Sequence, residues 1–313
     1  VHSHAFQRAL RGYGESYPQG QGDFWSWREA MYALVQRIDR AAMKRICKLA
    51  FEEMLDAGIT TVGEFHYLHH HNPNVCDYSL DEIVLQAAAE TGIRMVMLAS
   101  YYRTGGIGAP LTGGQRHFAT EGVEEFARHT DQLLRRLDSR TQTIGLAPHS
   151  VRAVPLSDLR ELAELARARE WPIHMHVEEQ RKEIEDFRAA HEVNPLNWIL
   201  DHLEVDDRYT IIHGTHSDGD DMVRFVGRGG RVCVCPLTEG NLGDGINDPL
   251  MGIVADRTET RWGKFRPYLL WMCVPFAVMG VLTFTTPDFG PTGKLVWAYA
   301  TFIGLMMLYT AVN

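Results

Sequence analysis

The sequence predicts an α/β barrel of parallel strands over residues 1–246, followed by two apolar helices long enough to cross a membrane. Three observations lead to this prediction. Amphipathic helical patterns alternate with short apolar runs, histidines stand at the ends of several of these runs, and the last part of the 313-residue chain contains two stretches without charged side chains. The sequence therefore predicts a water-soluble part followed by a membrane part.

Each predicted helix of the first part is followed by a predicted strand. Helical patterns lie at about residues 40–56, 80–91, 123–137, 156–169, 195–202 and 220–226, and the strand-like runs are TTVGEF, RMVMLAS, QTIGLAPH, WPIHMH, YTIIHG and RVCVCP. Strands that alternate with helices pair in parallel through right-handed crossovers. This many units favours a closed barrel, in which the chemistry lies where the strands end.

His2 and His4 open the chain, and further polar side chains stand at the predicted strand ends, namely Glu64, His66, His149, His174, His176 and His213. Alternate residues of a strand face one side, so His2 and His4 can point at one ion, and His176 adds a third nitrogen. Glu179, one turn further on, could transfer a proton to or from a metal-bound water, and His213 could bind the metal or polarise the substrate. These residues predict a mononuclear hydrolytic site with one divalent metal ion, of which Zn²⁺ fits best.

Six motifs carry a more specific resemblance, in the order HSHAFQRALRG, GEFHYLHH, APHSVRAV, HMHVEEQ, IIHGTH and CPLTEGNLGDGI. Together they resemble the formimidoylglutamate deiminases of histidine degradation, within the amidohydrolase superfamily. The resemblance implies that His2, His4 and His176 bind the metal, that Glu179 transfers protons and that His213 assists at the hydrolytic water or the tetrahedral intermediate. The implied reaction is hydrolytic deimination of N-formimidoyl-L-glutamate to N-formyl-L-glutamate and ammonia.

The resemblance also implies how an anionic small-molecule substrate is held. Arg28 and Arg152 are candidates for its two carboxylates, because planar guanidinium groups bind carboxylates through paired, charge-assisted hydrogen bonds. Gln7, Tyr67 and His149 lie in the corresponding motifs and could orient the carboxylates or the formimino group. For each residue taken alone, a salt bridge or a packing role has equal weight.

Other features narrow the class of protein. The net charge of −9 argues against a nucleic-acid partner. The five cysteines are few and scattered, which is typical of a reducing compartment, and Cys233 and Cys235 are interpreted as packing residues. The run His69, His70 and His71 is interpreted as a solvated loop rather than a second metal site.

The chain from Asn247 onward has a different character. Residues 268–287 and 295–313 contain no Asp, Glu, Lys or Arg, and a basic loop before them, with Arg257, Arg261, Lys264 and Arg266, favours a cytoplasmic position for that loop. NDPLMG and ADRTETRWGKFRP resemble the glycoside-pentoside-hexuronide cation symporters of the major facilitator superfamily. The alternative is that both runs are buried helices of a soluble domain.

The two resemblances together predict a joined chain, with a truncated barrel in residues 1–246 and a transporter-like fragment in residues 247–313. By resemblance the barrel lacks its eighth strand and the metal-binding aspartate at the end of that strand, and Asp244, Asp248 and Asp256 are not assigned this role. We therefore expect impaired deiminase activity. A symporter fragment, or a chimera with no working activity, are the alternatives.

The expected location follows from the same division of the chain. Residues 1–246 are expected in the cytoplasm, and residues 268–313 are expected to associate with a membrane. The resemblance to the deiminases also implies a possible homodimer.

Overall fold

The structure, a computed structural model, describes residues 1–11, 24–235, 238, 266–285 and 287–312. The chain divides into two units, Val1–Cys235 and Pro236–Asn313. The predicted junction around residues 245–247 lies outside the described residues, as do the acidic and basic residues named near it, Asp244, Asp248, Asp256, Arg257, Arg261 and Lys264.

Among the described residues of the first unit, seven parallel strands form one sheet, and each strand pairs with the next one along the chain. They are β1 (His2–Ser3), β2 (Thr61–His66), β3 (Arg94–Tyr101), β4 (Gln142–Pro148), β5 (Ile173–Val177), β6 (Tyr209–His213) and β7 (Arg231–Cys233). Each of the six predicted strand-like runs overlaps one of the strands β2 to β7, so the predicted alternation is confirmed. The parallel pairing is confirmed as well, for example through the registers of Ser3 with Glu64 and of His176 with Ile212.

Helices connect the strands and cover the outside of the sheet. They are α1 (Phe24–Val35), α2 (Arg40–Asp56), α3 (Asp81–Thr91), α4 (Val123–Leu134), α5 (Leu156–Ala168), α6 (Arg181–His191), α7 (Pro195–His202) and α8 (Gly219–Gly227). The sequence prediction missed α1 and α6. Helix α6 buries Glu183 and Phe187, which are four residues apart on one helix face, so its apolar face is too short to give a periodic signal.

Local sequence explains where several of these helices begin and end. Asp39 precedes α2, and its side chain accepts a hydrogen bond from the Ala42 amide at 2.6 Å. Gly92 follows α3 with a φ of 82°, the left-handed conformation that glycine adopts without a steric penalty. Pro195 begins α7, where its missing N–H leaves no helix hydrogen bond unmade.

The sheet curls into a nearly closed barrel of the TIM type. In a flat sheet, β1 and β5 would lie about 19 Å apart, given a spacing of about 4.8 Å between neighbouring strands. The ring centroids of His2 on β1 and His176 on β5 are instead 5.3 Å apart. Side chains from distant strands can meet at this distance only because the sheet closes on itself.

Strand β2 shows how the two faces of the barrel wall differ. The ring of Phe65 points inward, with its centroid 5.2 Å from that of His4 and 4.4 Å from that of His176. Alternation along the strand turns Glu64 and His66 the other way, toward the layer of helices. These two residues end a strand, as the sequence indicated, but they do not face the barrel interior with the other histidines.

The second unit contains helix α9 (Arg266–Thr283), which includes Pro275, and helix α10 (Pro291–Val312). The two helices pack against each other, and the indole N–H of Trp297 reaches the carbonyl oxygens of Leu282 and Thr285 at 3.2 and 2.9 Å. Among the described residues, none of the helices has both the length and the hydropathy of a membrane span. The structure therefore does not show the two spans predicted for residues 268–287 and 295–313.

Candidate metal centre and active site

His2 and His4 lie where the short strand β1 ends, and the barrel wall fixes both rings. The Nε2 atoms of the two imidazoles are 3.1 Å apart. The other ring nitrogen of His4, Nδ1, lies 2.8 Å from the carbonyl oxygen of Phe65. Since a carbonyl oxygen only accepts hydrogen bonds, Nδ1 of His4 carries a proton and Nε2 of the neutral ring carries the lone pair.

His176 on β5 reaches the same point. Its ring is turned like that of His4, with Nδ1 toward a main-chain carbonyl and Nε2 toward the cluster. Its Nδ1 donates to the carbonyl oxygen of His149 at 3.1 Å, and its Nε2 lies 3.2 Å from Nε2 of His4. Burial lowers the pKa of His4 to about 4 and holds the pKa of His176 well below its ordinary value, so both rings are neutral near pH 7. Two lone pairs then face each other at a short distance, an arrangement that a cation between them would stabilise.

His2, His4 and His176 together offer three ring nitrogens within 4.8 Å of one another. Neutral imidazole nitrogens are common ligands of divalent transition metals. The backbone carbonyls that fix the rings of His4 and His176 are the usual partners of metal-binding histidines. The donor set therefore fits one divalent metal ion, in agreement with the convergence that the sequence predicted.

Glu179 and His213 lie beside this cluster. Nε2 of His213 is 3.4 Å from Oε1 of Glu179, and both side chains are buried. The ring of His213 stacks on that of His176 with centroids 5.5 Å apart. His213 and Glu178 both adopt positive φ, 73° and 53°, which turns the chain sharply after β6 and β5. The carboxylate of Glu179 is thereby held close to the candidate metal ligands.

Gln7, Tyr67 and His149 form a continuous patch on the wall of the same site. Nε2 of Gln7 donates to the hydroxyl of Tyr67 at 2.6 Å, and the Tyr67 ring lies 5.1 Å from that of His4 and 5.2 Å from that of His149. Burial raises the pKa of Tyr67 well above its ordinary value, so its hydroxyl stays protonated. Burial, and then the charge of Arg152, hold the pKa of His149 well below its ordinary value. These groups are neutral hydrogen-bonding partners.

The two predicted arginines have different surroundings. Arg152 follows β4, and its Nε lies 2.8 Å from Oε2 of the buried Glu183. Arg28 on α1 lies over the ring of Trp25 at 4.4 Å and over that of Tyr32 at 5.5 Å. It also lines a cavity of about 300 Å³ with Tyr32 and Gln115. A planar guanidinium held against aromatic rings keeps its N–H groups available at the edge.

The interpretation of His69 and His70 as part of a solvated loop is wrong, because both are buried, whereas His71 is exposed. His66 and His69 contact Oδ1 of Asp81 at 3.1 and 3.0 Å, and His129 contacts Oδ2 at 2.8 Å. Nε2 of His69 lies 2.7 Å from the carbonyl oxygen of Ser100, so the ring donates from both nitrogens and is charged.

The pKa shifts of His69 and Asp81 agree with an ion pair between these two side chains. Burial lowers the pKa of His69, but the charge of Asp81 and the hydrogen bonds to Asp81 and to the Ser100 carbonyl together outweigh this effect, and the pKa of His69 is raised. Burial likewise raises the pKa of Asp81, while His69 and His66 lower it, and the result lies well below its ordinary value. His66, His69 and Asp81 are close enough to bind a metal, but their hydrogen bonds already account for the arrangement.

Sequence reasoning missed both Glu183 and Asp81. Glu183 lies on a helix that the periodicity did not reveal, and Asp81 looks like an ordinary acidic residue in the first turn of α3. The histidine-rich run before α3 was the available signal for the second cluster, because several imidazoles near a helix start can share one buried carboxylate.

Comparison with known proteins also assigns the two parts of the chain to different families. Residues 1–254 match the amidohydrolase family, and residues 238–313 match a family described as MFS/sugar transport protein. The tail is 54% identical over 70 residues to the putative glycoside/cation symporter YagG of Escherichia coli, which covers 22% of this chain and 15% of the symporter.

The larger part is similar to enzymes. It is 36% identical over 250 residues to formimidoylglutamate deiminase of Pseudomonas aeruginosa, covering 79% of this chain and 55% of that protein, so the chain spans about half the length of this relative. The crystal structure of an amidohydrolase from Brucella melitensis superposes with a TM-score of 0.73 at 30% identity, covering 100% of this chain and 72% of that one. Because the family match extends over most of its length, the chain belongs to the amidohydrolase family.

Proposed function

We propose that this chain hydrolyses N-formimidoyl-L-glutamate to N-formyl-L-glutamate and ammonia. The observation that carries the proposal is the meeting of His2, His4 and His176 with Glu179 and His213 at one mouth of the barrel. Similarity to a deiminase of that substrate supports the choice of reaction. Water adds its oxygen to the formimino carbon, the bond from that carbon to the terminal nitrogen breaks, and ammonia leaves.

The metal that we propose is Zn²⁺, held by His2, His4 and His176. Two nitrogens on a tetrahedral zinc ion lie about 3.3 Å apart, given zinc–nitrogen distances of about 2.0–2.1 Å. The nitrogens observed here are 3.1 and 3.2 Å apart. When bound, such an ion lowers the pKa of a water ligand toward ~7 and polarises the group under attack.

The chain's own residues then handle the protons. The carboxylate of Glu179 takes the proton that the water gives up and passes it to the departing nitrogen, as a general base and then a general acid. The imidazole of His213, with Nε2 3.4 Å from Oε1 of Glu179, orients that carboxylate and faces the reacting centre. Both side chains are shielded from bulk water, which strengthens their electrostatic effect.

The two arginines and the patch of Gln7, Tyr67 and His149 bind the substrate. Arg152 and Arg28 supply the positive charge for the two carboxylates of the substrate. Gln7, Tyr67 and His149 present neutral hydrogen-bond donors and acceptors to the formimino group and place no charge beside it. A dianionic substrate is therefore preferred over a neutral amidine of similar size.

Ammonia release from N-formimidoyl-L-glutamate by the zinc-loaded chain tests the proposal, with metal content measured on the same sample. We expect slow turnover, and N-formyl-L-glutamate as the second product. Retained zinc with no ammonia from this substrate would overturn the proposal. Hydrolysis of a neutral formamidine at an equal rate would overturn the assigned roles of Arg28 and Arg152.

A second candidate function, part of a sugar and cation symporter, is favoured only by the tail. Its test is separate from that of the enzyme. Resistance of the chain to carbonate extraction from membranes would support insertion of residues 268–313, and complete extraction would oppose it.

A further inference from the structure

We propose that Glu183 is a positioning residue of this active site. It holds the guanidinium of Arg152 toward the substrate carboxylate and apart from Glu179, so that the carboxylate of Glu179 remains available for proton transfer. The inference rests on the proposed function, because it assigns a purpose to the substrate roles of Arg152 and Glu179.

Glu183 joins two parts of the barrel mouth through its two oxygens. Oε1 accepts a hydrogen bond from the amide of Glu178 at 2.9 Å, and Oε2 lies 2.8 Å from Nε of Arg152. The first contact is to the turn after β5, which carries Glu179, and the second is to the segment after β4. The side chain of Glu183 is completely buried. A buried carboxylate in this position therefore fixes Arg152 relative to Glu179.

Arg152 lies between two carboxylates. Its Nη2 is 3.7 Å from Oε2 of Glu179, farther than its Nε is from Glu183. The guanidinium also lies over the ring of Phe24 at 5.4 Å. When Glu183 is ionised, its carboxylate supplies the counter-charge on the Nε side of the Arg152 guanidinium. The Nη groups then do not need Glu179 as their only anion and can bind a substrate carboxylate.

The turn that Glu183 supports has an unusual backbone conformation. Glu178 has a φ of 53°, which is costly for a residue with a side chain. The hydrogen bond from its amide to Glu183 and the one from the Leu196 amide to its own Oε1, at 3.0 Å, hold this conformation. Replacement of Glu183 by glutamine keeps an oxygen for the Glu178 amide while removing the charge that faces Arg152. This substitution separates the two contacts.

The test is direct titration of the zinc-loaded chain with N-formyl-L-glutamate, for the native chain, Glu183→Gln and Glu185→Gln. Glu185 lies on the same helix and is exposed, so it is the matched control. We expect Glu183→Gln to raise the Kd at least tenfold at unchanged zinc content, and Glu185→Gln to change it less than twofold. An unchanged or lower Kd would overturn the proposal, since removal of a negative charge alone would strengthen anion binding.

A double-mutant cycle distinguishes positioning from a general structural effect. If Glu183 acts through Arg152, Glu183→Gln should change the Kd less than twofold in an Arg152→Gln background. Equal losses in both backgrounds would overturn the proposal. Glu183→Asp keeps the charge on a shorter side chain and replaces Glu183→Gln if that variant does not fold. It should still weaken binding several-fold, and native affinity would count against the proposal. Absence of binding by the native chain would overturn the proposed function itself.

Discussion

His4 and His176 are 172 residues apart in the sequence, yet their Nε2 atoms lie 3.2 Å apart. Each ring donates its Nδ1 proton to a main-chain carbonyl, of Phe65 and His149 respectively. The barrel wall thus fixes both the position and the tautomer of each ring. Such preorganisation gives a metal site its affinity, because little order has to be created on binding.

His176→Ala should lower the metal affinity by more than the ~10–100-fold typical for loss of a hydrogen-bond partner of a ligand. Metal bound per chain, measured after dialysis against a weak chelator, provides the test. His191→Ala removes an exposed imidazole and is the control. Equal metal content in native chain and His176→Ala would contradict the assignment of His176 as a ligand.

Glu179→Gln should lower the rate of ammonia release by a factor of about 10²–10⁴, the usual contribution of a general acid or base. The amide fills the same space but cannot accept the proton. Metal content should stay at the native level, because Glu179 is not among the three nitrogen ligands. The exposed Glu185→Gln should retain native turnover. A Glu179→Gln variant with more than a third of the native rate would exclude the proton-transfer role.

Asp81→Asn should destabilise the barrel by about 3–5 kcal/mol, because it leaves the buried positive charge of His69 without its partner. Urea unfolding followed by near-ultraviolet circular dichroism measures this loss. Asp186→Asn breaks an exposed ion pair with Lys182 and should cost about 0–1 kcal/mol. Equal costs for the two variants would show that His69 is not charged in the folded chain.

The buried Glu64 side chain should make the free energy of unfolding depend on pH. Burial raises its pKa from 4.5 to about 8, although hydrogen bonds from the Ala5 amide and the Ser3 side chain oppose this shift. Between these pH values the folded chain holds a proton that the unfolded chain has lost. The contribution of protonated Glu64 to the free energy of unfolding is complete below pH 4.5. It is lost as the pH rises toward 8, by at most about 1.4 kcal/mol per pH unit.

Glu64→Gln cannot titrate and should therefore show a flatter fall in the free energy of unfolding between pH 5 and pH 8 than the native chain does. Unfolding curves in urea at four pH values measure the difference in slope. Parallel slopes for the two proteins would mean that Glu64 is ionised in the folded state.

Much of the fold was predictable because it depends on local pattern. Helix α2 was placed at residues 40–56, as observed, since its apolar positions recur with helical periodicity and Asp39 caps it. The strands β2 to β7 follow from short apolar runs after helical patterns. Helix α6 was missed because its buried face includes a carboxylate, Glu183, where an apolar residue would have given the pattern.

The candidate site was predictable only in part. His2 and His4 form a recognisable spacing at a strand end, and His176 with Glu179 forms another. The pairing of Arg152 with Glu183, and that of His69 with Asp81, depend on which helices approach the strand ends. Spacing within a motif does not determine contacts between motifs.

The sequence alone determined the alternation of helices and strands, the two motifs that carry His2 with His4 and His176 with Glu179, and the change of character toward the tail, because each depends on residues close together in the chain. Only the tertiary structure decided that Phe65 faces inward while Glu64 and His66 face the helices, and that His69 and His70 are buried. Strand alternation gives two faces without saying which one lies inside. Closure of the barrel makes that choice, and it brings residues on β1 and β5 to one point.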